Sequence, residues 1–142
     1  MPKAKRSASV AWREHMTFDA RTQSGHSIVL DTSAPNGDDR GATPMELLLV
    51  ALAGCTAMDV VSILQKKREP LAGLEVSVEG LRAEEDPHVY TDIEIVYHVR
   101  GPVKPASVAQ AIELSETKYC SVGAMLGRSA QITTRFEIQA EG

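Results

Sequence analysis

Between Thr43 and Pro70 the chain reads TPMELLLVALAGCTAMDVVSILQKKREP, and residues 47–64 of it carry one charge, Asp59. Thr43 is placed to cap a helix, Pro44 suits the first helical position, and Glu46 three residues after the cap completes a capping box. Lys66, Lys67 and Arg68 put cations at the negative end of the helix dipole, and Pro70 stops it. The segment therefore predicts one helix from Pro44 to about Glu69, roughly 39 Å long if unbroken. A helix apolar on nearly every side must be buried on nearly every side or lie in lipid. Asp59, Thr56, Ser62 and Gly54 inside it, with strand-forming sequence on both flanks, argue against a membrane span. A chain of 142 residues has trouble surrounding such a helix alone. Burial by a second copy solves the problem, so a homodimer with this helix near its centre is expected.

The flanks alternate with the period of strands. Val10 and Trp12, then Phe18 and Ala20, then residues 26–30 read as three short strands, with Ser24-Gly25 as a turn. Residues 32–42 are a polar loop. Leu74, Val76 and Val78 form one strand face, and Ile93, Ile95, Tyr97 and Val99 another, with Asp86-Pro87-His88 between them. Pro105 to about Lys118 predicts a second helix with Val108, Ala111, Ile112, Ser115 and Tyr119 on one side. A short helix over residues 120–126 and a strand over 132–138 close the chain. The order of strands, long helix, strands, helix and strand predicts an α+β fold in one domain, residues 1–142.

Composition removes several function classes. Apolar residues are 43 % and charged residues 24 % of the chain, ordinary values for a globular domain. Net charge is −4, and the 15 Lys and Arg are scattered, so a nucleic-acid partner is not expected. The basic start, Met1 to Arg6, runs into small and polar residues rather than an apolar core, so a cytoplasmic location is expected. His15, His26, His88 and His98 stand at no metal-ligand spacing, and phosphate-cradling glycine motifs and a nucleophile elbow are missing. The two cysteines, Cys55 and Cys120, remain. In a reducing compartment a pair of thiols reads as buried hydrophobes or as a redox couple. Cys55 lies mid-helix with Asp59 one turn on, so a reactive Cys55 needs a cation from another element. Cys120 opens a short helix, where backbone N–H groups are expected to favour its thiolate.

Ala42-Thr43-Pro44-Met45-Glu46-Leu47-Leu48 leading to Ala53-Gly54-Cys55, with Lys118-Tyr119-Cys120-Ser121-Val122 some 65 residues later, resembles the OsmC/Ohr family of osmotically inducible and organic-hydroperoxide-resistance proteins. The likeness extends over essentially the whole chain and is nearest to the OsmC-like subgroup. It implies an intertwined homodimer of α+β subunits, with the long buried helices packed centrally against antiparallel sheets, active sites at the interface and thiol-dependent reduction of organic or inorganic hydroperoxides. Cys55 would be the peroxidatic cysteine and Cys120 the resolving one, their disulfide being reduced by a dithiol, lipoyl-linked in some members. No metal, haem, flavin or other cofactor is implied. Ser121 stands where the established peroxidases carry proline. The family's stabilising arginine has two candidates, Arg21 and Arg13, of which Arg21 is preferred. Glu46 falls nine residues before Cys55 where the family's glutamate falls ten. On a regular helix that spacing turns about 900° and separates the two by about 13.5 Å, so capping explains Glu46 better. The alternative reading is a non-catalytic binding or redox-sensing protein on the same scaffold.

Overall fold

The computed structural model describes residues 3–141; Met1, Pro2 and Gly142 of the expected domain lie outside them. The elements, in order, are β1 (Ala8–Glu14), β2 (Thr17–Thr22), β3 (Ser27–Leu30), α1 (Pro44–Lys66), β4 (Gly73–Arg82), β5 (Tyr90–Arg100), α2 (Pro105–Leu114), a π-helical turn (Ser115–Tyr119), α3 (Ser121–Leu126) and β6 (Gln131–Gln139). The α+β class is as the sequence predicts. The chain falls into two compact units that divide between Leu48 and Leu49, inside α1.

The N-terminal unit is an antiparallel sheet in the order β1-β2-β3. Trp12 faces Phe18, Phe18 faces Leu30, Val10 faces Ala20 and Ala20 faces Ile28. Side chains alternate across a strand, so this register gathers the apolar residues on one face. That face stays open: Val10 is 54 % and Trp12 68 % exposed. Its buried polar knot is centred on Asp31, which accepts hydrogen bonds from Thr17 Oγ1 at 2.7 Å and from the backbone N–H of Thr32, Asp38 and Arg40 at 2.7, 3.3 and 3.3 Å. One carboxylate thereby satisfies three donors of the loop after β3. The capping box forms as expected, Glu46 N–H donating to Thr43 Oγ1 at 3.2 Å and Thr43 N–H to Glu46 Oε1 at 2.9 Å.

In the C-terminal unit β4 pairs antiparallel with β5, whereas β5 pairs parallel with β6. This corrects the expectation of antiparallel pairing throughout. A parallel neighbour needs a crossover, and the helical segment from Pro105 to Leu126 supplies it. Ile93, Ile95, Tyr97 and Val99 on one face of β5 are at most 2 % exposed and form the core. Against it α1 buries Leu52, Thr56, Val60 and Leu64, one residue per turn. The all-round burial expected of this helix is not met within one chain, since Val50 is 63 % and Met58 76 % exposed. By length and composition α1 could cross a membrane, yet its stretch after Leu48 packs as a core helix of this unit.

Two helix ends depart from the prediction. α1 stops at Lys66 rather than near Glu69 because Arg68 turns left-handed, with φ 58°. Glu69 N–H then reaches Leu64 O and Arg68 N–H reaches Gln65 O, both at 3.0 Å, the two bonds of a Schellman motif closed without glycine. Glu69 in turn takes Lys104 N–H at 3.1 Å and Ser107 Oγ at 2.7 Å, satisfying the start of α2. The second helix gives way to the π-helical turn, whose closing bond runs from Cys120 N–H to Ser115 O at 2.8 Å. The wider turn carries Tyr119 off the expected buried side, and it is 50 % exposed.

Candidate functional site

The π-helical turn decides where the second thiol stands. Its extra residue sets Ser115 inward, fully buried, and makes Cys120 the residue that caps α3. There the Cys120 thiol lies beside that of Cys55, which α1 holds half-buried, and the two side chains interact. The structure thus brings together the two cysteines singled out in the sequence. Cys120 Sγ accepts a hydrogen bond from Gly123 N–H at 3.3 Å. Burial nonetheless dominates and pushes the Cys120 thiol up to about 11, with the neighbouring Cys55 thiol and the Asp59 carboxylate adding to the rise. The expectation that a helix start would favour the Cys120 thiolate is overturned: one N–H group does not offset the loss of water. At neutral pH Cys120 is a thiol.

Beneath the cysteines runs a chain of hydroxyls that the sequence did not announce. Tyr97 Oη and Thr56 Oγ1 are 2.7 Å apart, Thr56 Oγ1 and Ser115 Oγ 2.8 Å, and Ser115 donates to Asp59 Oδ2 at 2.9 Å. An ionised carboxylate only accepts, so the single Ser115 proton is committed to Asp59. Thr56 must then donate to Ser115, and Tyr97 to Thr56. Burial pushes the Tyr97 phenol up to about 12, against the opposing bond to Thr56, so this end of the chain stays protonated. Asp59, which the sequence presented as an obstacle to a thiolate, orders the direction of three buried protons.

A cavity of about 330 Å³ opens beside Cys120. Leu52 and Thr56 of α1, Ile95, Tyr97 and Ile132 of the sheet, and Ser115, Cys120, Gly123, Gly127 and Ala130 wall it, with Glu116 and Gln131 also lining it. Such volumes lie at the small end of the range for small-molecule sites. Cys55 is not among the lining residues.

The remaining candidates are distributed differently. Glu46 sits in the capping box. Arg13 is engaged by Asp19, which takes its Nε at 3.0 Å and its Nη2 as well. Arg21 is exposed on β2, across from Ser9 on β1 and Ser27 on β3. On the outer face of the C-terminal sheet, His98 Nδ1 meets Glu137 Oε1 at 2.7 Å and Nε2 meets Ser77 Oγ at 3.2 Å. That hydroxyl, imidazole and carboxylate run in the order of a triad, and His98 and Glu137 also line a cavity of about 520 Å³ along the sheet. Among the described residues no group of three or more His, Cys, Asp or Glu is placed to hold a metal ion.

Residues 37–135 match the family model described as OsmC-like protein. Protein YhfA of Escherichia coli K12 is 43 % identical over 134 residues, which cover 94 % of this chain and 98 % of that protein. A crystal structure of a protein from Aquifex aeolicus VF5 superposes with a TM-score of 0.88 at 34 % identity, covering 99 % of this chain and all of the other. An organic hydroperoxide resistance protein OsmC from Legionella pneumophila shares the fold with a TM-score of 0.73 at 10 % identity, covering 96 % of this chain and 99 % of its own. With two thirds of its length matched to the family model and a relative this similar along nearly all of it, the chain belongs to the OsmC-like family.

Proposed function

We propose that this protein is a two-cysteine peroxidase that reduces organic or inorganic hydroperoxides. The observation that carries the reading is the asymmetry of two adjacent sulfurs, a half-buried Cys55 and a buried Cys120 that remains a thiol. Peroxide attack needs an accessible thiolate, whereas resolution needs a second thiol held in reserve. The Cys55 thiolate attacks the terminal peroxide oxygen, the O–O bond breaks, the alkoxide leaves as alcohol after taking a proton, and Cys55 becomes a sulfenic acid. Cys120 then attacks that sulfur, water leaves, and a Cys55–Cys120 disulfide forms. A dithiol, lipoyl-type or free, reduces it by exchange. The OsmC fold shared with a hydroperoxide resistance protein supports this assignment.

In this reading Arg21 supplies the cation that Cys55 requires, because the Arg13 fork is already taken by Asp19. Glu46 acts as a helix cap, and no metal or organic cofactor takes part. The working form is a homodimer, one domain per chain, in a reducing cytoplasm. The open apolar face of the N-terminal sheet and the exposed apolar side of α1, with Trp12 at 68 % and Met58 at 76 % exposure, are surfaces of the kind a second copy covers.

The test is coupled consumption of cumene hydroperoxide and hydrogen peroxide with a dithiol, comparing wild type, Cys55→Ser, Cys120→Ser and Arg21→Gln. Turnover abolished by Cys55→Ser, stalled as a sulfenic acid in Cys120→Ser and slowed in Arg21→Gln is expected. Turnover no faster than free thiol in the wild type would transfer the assignment to a binding or redox-sensing role.

A further inference from the structure

The two sulfurs meet, but the cavity reaches one of them. Cys120 is part of its wall and Cys55 is not. A peroxide bound there would lie against Cys120 and not against Cys55, the sulfur to which the reading above assigns peroxide attack. The cavity therefore serves a different step of the cycle. We propose that it is the docking site of the reductant, a slim uncharged alkyl thiol or dithiol, and that the incoming sulfur bonds to Cys120. This inference rests on the two-cysteine reading above.

The step balances as an exchange. The reductant thiolate attacks Cys120 Sγ of the disulfide, the S–S bond breaks, and its electron pair departs with Cys55, which leaves as thiolate. A mixed disulfide now joins the reductant to Cys120. A second reductant thiol attacks the reductant's own sulfur, Cys120 leaves and takes a proton, and the reductant departs as its disulfide, two electrons poorer.

Three features converge on this direction. The wall next to Cys120 is stripped of bulk by Gly123, where an added Cβ would stand 3.2 Å from Cys120 Sγ and 3.6 Å from Leu52 Cδ1. Apolar Leu52, Ile95 and Ile132 suit an alkyl chain, while the Glu116 carboxylate repels an anionic thiol such as glutathione. Finally, the burial that pushes up the Cys120 thiol makes its sulfur the poorer leaving group, so exchange expels Cys55 and leaves the incoming sulfur on Cys120.

The experiment begins from wild-type protein oxidised with diamide, so that no peroxide step is involved. Loss of both free thiols without dimer crosslinking reports the intramolecular disulfide. Excess 1-propanethiol followed by a rapid N-ethylmaleimide quench and peptide mass mapping then locates the adduct. The propyl group is expected on Cys120 and the maleimide on Cys55. Gly123→Ala, which places its methyl against Cys120, and Ala130→Val, which narrows the cavity without altering either thiol-bearing helix, should each slow propanethiol reduction about tenfold. Glutathione reduction should slow less, so the ratio of the two rates falls. An adduct on Cys55, or a wild-type rate ratio in both variants, overturns the proposal alone. Failure to form the disulfide overturns it together with the peroxidase reading.

Discussion

The two units keep their shape by opposite electrostatic means. In the N-terminal sheet the ordered groups are ionised carboxylates. Asp31 is held below its ordinary value of 3.8 by Thr17 and three backbone N–H groups, and Asp19 is held below it by Arg13. In the C-terminal unit they are buried acids that stay neutral, Cys120 pushed from 9.0 to about 11 and Tyr97 from 10.0 to about 12, both by loss of water. The N-terminal sheet buries little and is organised by charge. The C-terminal unit has a dry core in which Cys120 and Tyr97 stay neutral, with the Asp59 carboxylate at one end of its hydroxyl chain. Glu69, held low by Ser107 and Lys104 N–H, is the C-terminal unit's counterpart to Asp31.

The contrast fixes opposite pH sensitivities. A carboxyl group lowered in the folded state contributes stability above its unfolded value, and that contribution is lost as pH falls through the folded value. The N-terminal sheet is therefore expected to loosen below about pH 4. Acids raised in the folded state contribute stability below their unfolded values, which is lost as pH rises through the folded ones. The C-terminal unit is expected to fail as pH climbs from 9.0 toward about 12. The chain provides separate reporters, because its one tryptophan is Trp12 in β1 and its three tyrosines are Tyr90, Tyr97 and Tyr119. Near-ultraviolet circular dichroism of Trp12 should change before the tyrosine bands in acid and after them in alkali. Coincident changes in both limbs would mean the two regions lose structure together, and the contrast would fail.

A smaller perturbation sharpens the C-terminal half of the comparison. Thr56→Val preserves the shape of a buried side chain but removes the central link of the hydroxyl chain. Tyr97 then loses its acceptor and Ser115 its donor, both fully buried. Orphaned buried groups of this kind cost about 1–3 kcal/mol, to be read in urea unfolding. Thr56→Ser keeps the hydroxyl and should recover most of the loss that Thr56→Val causes. Equal losses in the two variants would show that packing, not the ordered protons, stabilises this region.

How much of this was legible in the sequence follows from how local each signal is. The capping box at Thr43 and Glu46, the alternation of Ile93, Ile95, Tyr97 and Val99, and the two cysteines are readable because each lies within a few neighbouring residues. The end of α1 was missed because the left-handed position is filled by Arg68, where glycine is the usual signal. The parallel partner of β5 was missed because alternation reveals a strand's faces but not the direction of its neighbour. The site suffered most. The sequence named both sulfurs yet predicted the wrong ionisation for Cys120, because helix position is local and burial is not. Thr56, Tyr97, Ser115 and Asp59 come from three elements with up to 59 residues between bonded partners, and their order exists only after folding.

The smallest effect concerns Glu46, where a local structural role and a catalytic one predict different outcomes. The capping box pairs Glu46 with Thr43 through two backbone N–H groups, so Thr43→Ala should cost about 1 kcal/mol. Hydrogen exchange should quicken at residues 44–47 with little change in the tyrosine bands of the C-terminal unit. Glu46→Gln retains a side-chain acceptor for Thr43 N–H and should cost less than Thr43→Ala. Peroxide consumption by Glu46→Gln should then stay near wild type. Activity reduced to that of Cys55→Ser, with exchange at the helix start unchanged, would instead give the carboxylate a part in the chemistry.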